Sequence, residues 1–91
     1  LSAQDFKALS ELSTLQYLNL SYSRVTLAQL KTLSKLNRLH TLSVVECGLD
    51  KKAIAVLKQF KGLKVLQVMP NNKATAVRDM FAAGLPKVTV K

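Results

Sequence analysis

LNRLHTLSVVECGL, residues 36–49, sets its apolar residues at an uneven but regular spacing: Leu36, Leu39, Leu42 and Val44. The same spacing occurs 24 residues earlier in LSTLQYLNLSYSRV, residues 12–25, as Leu12, Leu15, Leu18 and Leu20. It occurs again 24 residues later in FKGLKVLQVMPNNK, residues 60–73, as Phe60, Leu63, Leu66 and Val68. Four matched positions in three copies at one offset mark an internal repeat. A shortened fourth copy, LPKVTV, is expected 22 residues further on, with Leu85, Val88 and Val90.

Within each copy the Leu-x-Leu or Leu-x-Val core alternates with a period of two, which is strand periodicity. Between copies the period changes to three, in Phe6, Leu9 and Leu12, in Leu27, Leu30, Leu33 and Leu36, and in Ile54, Leu57 and Phe60. That spacing predicts short α-helices or 3₁₀-like turns facing inward. Ser2, Thr26 and Asp50 recur at the repeat offset and are good N-caps; Gln29 follows Thr26 in a capping-box arrangement. Leu1, Val25 and Leu49 precede those caps as candidate hydrophobic staples. Each unit thus reads as strand, turn and helix. One such unit cannot bury its own apolar side, whereas stacked copies running in the same direction bury a shared core.

The pattern LxxLxxLxLxx(N/C)xL resembles the leucine-rich repeat, with LNRLHTLSVVECGL the nearest copy and about three and a half repeats in all. Lys73 departs from it, standing where the repeat has an apolar residue. The resemblance implies an α/β fold: a right-handed β-α superhelix, a solenoid with parallel strands on its concave face and short helices on its convex face. It also implies one leucine-rich repeat domain over residues 1–91, expected to be a section of a longer array, since terminal repeats normally need specialised caps.

The charge is unevenly placed. Of the formal +9, residues 1–50 contribute +1 and residues 51–91 contribute +8. Such a balance suits acidic proteins, nucleic acid or anionic lipid. No stretch approaches the 18 or so continuous apolar residues of a membrane-spanning helix, and residues 1–12 do not read as a signal peptide. With one cysteine there is no internal disulfide, which slightly favours an intracellular setting and leaves the compartment unassigned.

That cysteine, Cys47, and the one histidine, His40, stand seven residues apart. A thiol nucleophile needs its base within hydrogen-bond reach, and a strand spreads residues by about 3.3 Å each, so the two are not expected to meet. Cys47 falls where the repeat places Asn or Cys, and the expected role is structural: a small buried residue with a weak donor in the turn after the strand. His40 is expected to be exposed at the strand entrance. The five acids, Asp5, Glu11, Glu46, Asp50 and Asp79, are scattered, no metal-ligand cluster forms at sensible spacing, and the three glycines stand apart with no phosphate loop. The expectation is a non-enzyme without cofactor or metal.

In a repeat of this kind the strand residues between the inward leucines face a partner. The rows expected across the sheet are Tyr17, Thr41, Val65 and Lys87, then Asn19, Ser43, Gln67 and Thr89. A third holds Ser21, Val45, Met69 and Lys91, with Tyr22, Glu46 and Pro70 beyond it. From these, Tyr17, Asn19, Tyr22, Thr41, Ser43, Val45, Glu46, Val65, Gln67, Met69 and Lys87 are the candidate partner-binding residues. Tyr and Met are favoured interface anchors. The function expected is a protein-interaction module within a larger receptor, adaptor or assembly protein, its lysines suiting an acidic partner. The alternatives are RNA or anionic-surface binding through the lysine-rich second half (Lys51, Lys52, Lys58 and Lys61), and a passive scaffold.

Overall fold

The computed structural model describes residues 3–70 and 75–91. Helices and strands alternate along the chain. The elements are α1 (Ala3–Ser10), β1 (Tyr17–Asn19), α2 (Leu27–Leu33), β2 (Thr41–Ser43), α3 (Ala53–Leu57), β3 (Val65–Gln67), α4 (Ala76–Gly84) and β4 (Thr89–Val90). The strands form one parallel sheet in the order β1-β2-β3-β4. The fold is therefore α/β, with a four-stranded parallel sheet whose strands alternate with helices, as the change of period predicts. The first three strands keep the 24-residue register: Leu18 pairs with Leu42 and Leu42 with Leu66.

The inward residues of the strands meet those of the helices in one apolar cluster. Leu42 and Leu66 from the sheet and Leu30, Leu33, Ala53, Leu57 and Phe81 from the helices are all buried in it. Each buried leucine contributes about 1.5–3 kcal/mol relative to leaving it in water. Burial is less even than the repeat implies. Leu36 is 1% exposed, but its counterpart Leu12 is 49% exposed, and Leu27 also lies at the surface. Among the described residues the first unit is packed on one side by the second, so the side chain that is sandwiched in the second unit is open in the first.

Helix starts follow the sequence at one place and shift at two. Thr26 closes a capping box: its Oγ1 accepts from Gln29 N at 3.2 Å, and Gln29 Oε1 accepts from Thr26 N at 3.0 Å. Asp50 is not the residue that caps α3. Its Oδ1 accepts from Lys52 N at 2.9 Å and its carbonyl from Ala53 N at 3.0 Å, so a tight turn comes first and the helix begins at Ala53. Thr75, unnoticed in the sequence, caps α4 through Arg78 N at 3.2 Å. Leu1, Ser2, Asn71 and Lys73 lie outside the described residues.

The fourth unit departs from the expected 22-residue offset. Thr89 pairs with Val65 and Val90 with Leu66, so the strand returns to the 24-residue register. The cap of α4, Thr75, stands one residue after the position that repeats Thr26; the helix runs nine residues, against five in α3, and the link from 85 to 88 is correspondingly short. Sheet pairing, not the spacing of apolar residues in the link, sets where β4 begins.

Units also approach closely at their backbones. A Cβ placed on Gly62 would run into the carbonyl oxygen of Asn37 in the preceding unit. Because that obstacle is main chain, it has no rotamer by which to move aside. Gly62→Ala is expected to cost about 1–3 kcal/mol, read as a lower urea midpoint at unchanged slope. Lys61→Ala, at the exposed neighbour, should stay within about 0.5 kcal/mol of the parent.

Candidate functional site

The sheet face turned away from the core carries the residues expected to meet a partner. In register order one row is Tyr17, Thr41, Val65 and Thr89, and the next begins Asn19, Ser43 and Gln67. Lys87 does not belong to the first row. It lies exposed in the turn before β4, because the strand starts two residues later than the apolar spacing suggests. The backbone of Lys91 continues the second row, donating to Leu66 O at 2.9 Å and accepting from Val68 N at 2.9 Å.

The face is not uniformly open. Val45 is 4% exposed and Ser43 is 3% exposed, so neither can be a contact residue. Both belong to the second unit, whose strand lies between those of the first and the third. Ser21 reaches across from the first unit, its Oγ 2.7 Å from Ser43 Oγ and accepting from Val45 N at 3.1 Å. On the other side Met69 is half-buried, packed against the core, and Gln67 Nε2 donates to Met69 O at 3.3 Å. Ser21 was not among the candidates, yet it links the first two units through side chain and backbone. Thr41 is half-buried with its Oγ1 2.8 Å from His40 Nδ1, and Val65 is also half-buried.

What stays open is concentrated on the first unit. Tyr17 is 54% exposed at the start of β1, Asn19 is exposed at its end, and Tyr22 is 73% exposed just beyond. Asn19 Oδ1 accepts from Ser21 N at 2.9 Å, which holds that turn. Tyr22 adopts φ 66° and its counterpart Glu46, also exposed, adopts φ 56°. Both are left-handed conformations that cost a non-glycine residue roughly 1–2 kcal/mol. Tyr22 is pinned there by donating its N–H to Val45 O at 2.7 Å. Nothing in the sequence announces these angles, since neither position holds the Gly or Asn that usually signals them.

Cys47 and His40 serve different surroundings. His40 is exposed at the strand entrance, and its carbonyl accepts from Lys64 N and Val65 N at 2.9 Å each. Cys47 is buried, and its thiol donates to Leu20 O of the preceding unit at 2.9 Å, as expected of the turn residue. Burial pushes the thiol up from its ordinary value of 9.0, the nearby Glu46 charge adds to the rise, and backbone hydrogen bonds at Ser23 and Tyr22 oppose it. Gly48 follows at φ 75°, a turn geometry suited to glycine. Among the described residues no three His, Cys, Asp or Glu side chains gather as a metal site, and no helix is long and apolar enough to cross a membrane.

Comparison with family models, with curated proteins and with solved structures gave no match.

Two stability effects follow. Replacing Tyr22 with Asn removes little buried surface and relieves the left-handed penalty, so Tyr22→Asn should raise stability by about 0.5–1 kcal/mol, seen as a higher urea midpoint. An unchanged or lower midpoint would contradict it. For Cys47, the unfolded chain releases the thiol proton at the ordinary pKa while the folded chain keeps it. The contribution is complete below that value and is lost as pH rises from about 9 towards the raised folded value. The stability difference between the parent and Cys47→Ser should therefore be constant below about pH 8 and move against the parent above about pH 9. Urea titrations across that range check it.

Proposed function

We propose that the chain is a leucine-rich-repeat solenoid acting as a non-catalytic protein-interaction module, with the outer sheet face as its concave binding surface. The 24-residue repeat and the parallel sheet in sequential order support the architecture. The observation that carries the function is Tyr22, in the turn that follows β1, together with Tyr17 at the start of that strand. A tyrosine at a left-handed position is a local cost, and Tyr22 is too exposed for packing to offset it. Stability alone would favour Gly or Asn at that turn. A large amphipathic ring presented to solvent from a fixed backbone position is what a protein interface uses as an anchor, since tyrosine has only two side-chain torsions to order on binding. Asn19, Thr41, Val65 and Gln67 supply the polar and small apolar surround, and Glu46 lies at its margin.

A capture experiment with the immobilised chain tests this. Proteins retained at about 0.5 M salt, where exposed charge pairs are screened, should be lost with Tyr17→Ala/Tyr22→Ala. They should survive Val77→Ala, an exposed apolar change on α4. Retention unaffected by the double substitution, in a variant with a normal unfolding transition, would reject the outer sheet face as the binding surface.

A further inference from the structure

We infer that the end of the sheet where the strands begin is a docking rim for an acidic polypeptide segment. The argument starts from topology. All strands are parallel, so every link from a helix to the next strand lies at the same end of the sheet. The links of the second, third and fourth units are residues 34–40, 58–64 and 85–88. They contain Lys35, Arg38, Lys58, Lys61, Lys64 and Lys87 and not one Asp or Glu. All six are exposed, and His40 is exposed among them. The corresponding link of the first unit, residues 11–16, holds Glu11 and no cation, so the positive rim begins at the second unit.

The opposite end is different in kind. Its links from β1 and β2 to the following helices hold Arg24, Lys51 and Lys52 against Glu46 and Asp50, and Lys91 stands exposed past β4. The ion pair found among the described residues, Arg78 with Asp79 at 2.9 Å, lies on α4 and away from the rim. Among the described residues none of the rim cations makes an ion pair, so they face solvent at a mutual repulsion that the fold does not need. Helix C-termini point to this end and favour cations within the last turn, which accounts for Lys35 and Lys58. It does not account for Lys61, nor for Arg38, Lys64 and Lys87 nearer the strand entrances.

Carboxylates suit this rim better than a nucleic-acid chain does. Five of the six cations are lysines, flexible point charges, and one is the planar, stacking arginine. Of the two aromatic rings in these links Phe60 is buried and His40 is exposed, so the charge is accompanied by one small ring and not by a platform of closely set aromatics. The rim is independent of the tyrosine surface and stands whether or not the outer sheet face binds a protein.

The test uses two labelled probes, a peptide of about fifteen residues alternating Glu and Ala and an oligouridylate of equal charge, at low and moderate salt. Two charge-matched variants are compared. One is Lys35→Gln/Arg38→Gln/Lys61→Gln/Lys64→Gln on the rim; the other is Lys7→Gln/Arg24→Gln/Lys51→Gln/Lys52→Gln elsewhere. We expect the rim variant to lose at least about tenfold in peptide affinity and the other less than about threefold. Equal losses would mean that net charge alone attracts the peptide and would overturn the rim. Tighter binding of the oligouridylate than of the peptide, lost with the rim residues, would overturn the acidic-polypeptide assignment in favour of nucleic acid. Thermal unfolding verifies that the variants fold, and Lys64→Glu alone carries the same expectation should the fourfold variant be destabilised.

Discussion

The first unit hydrogen-bonds to the second well beyond the three residues of its strand. His40 N and Thr41 N donate to Gln16 O, Leu20 N donates to Ser43 O at 2.8 Å, Tyr22 N to Val45 O at 2.7 Å and Val25 N to Cys47 O at 3.3 Å. Buried main-chain groups must be paired, and here each unit's groups are paired by its neighbour. That requirement fixes the register, and changes in length elsewhere have to be absorbed within a unit. The fourth unit shows how. Its helix is capped one residue late, its return link is shortened, and Val90 still arrives beside Leu66. The same ladder explains the left-handed residues, since Tyr22 must turn the chain away from the sheet while its N–H still reaches Val45.

Packing follows from that ladder and is strongest where a unit has neighbours on both sides. Leu36, Leu39 and Leu42 of the second unit are essentially inaccessible, whereas Leu12 and Leu15 of the first and Val88 of the fourth are open or half-buried. Cys47 belongs to the same arrangement. Its small thiol fills the turn and gives a hydrogen to Leu20 O, which also accepts from Ser23 N at 3.2 Å, so one carbonyl gathers two donors.

How much of this the sequence discloses depends on whether a feature is local or belongs to the stack. Strand positions at Leu18, Leu42 and Leu66, the capping box at Thr26 and the buried turn at Cys47 are set by spacing and residue type, and they are legible. The place of β4 is not, because Leu85, Val88 and Val90 imitate the apolar spacing two residues out of register with the pairing. Val45 and Leu12 fail for a related reason. Alternation expects Val45 to be open on the outer face, but it is 4% exposed, and Ser21 of the first unit reaches over to accept from its N–H. A leucine at the Leu12 position is core only when a unit lies on each side. The conformation of Tyr22 leaves no trace at all, since the turn imposes what glycine would have advertised.

Parallel order also turns a bias in composition into a surface. In an antiparallel meander successive turns fall at opposite ends of the sheet, and lysines in them would be dispersed. Here every helix-to-strand link is delivered to one end, so Arg38, Lys64 and Lys87, far apart in sequence, share one rim. The excess of positive charge in residues 51–91 is thereby divided between two ends of very different balance. Lys51 and Lys52 lie near Asp50 and Glu46, while Lys58, Lys61 and Lys64 lie beside Lys35 and Arg38 of the preceding unit. The field of one sign is strongest at the second, which is the end the proposed acidic segment would be drawn to.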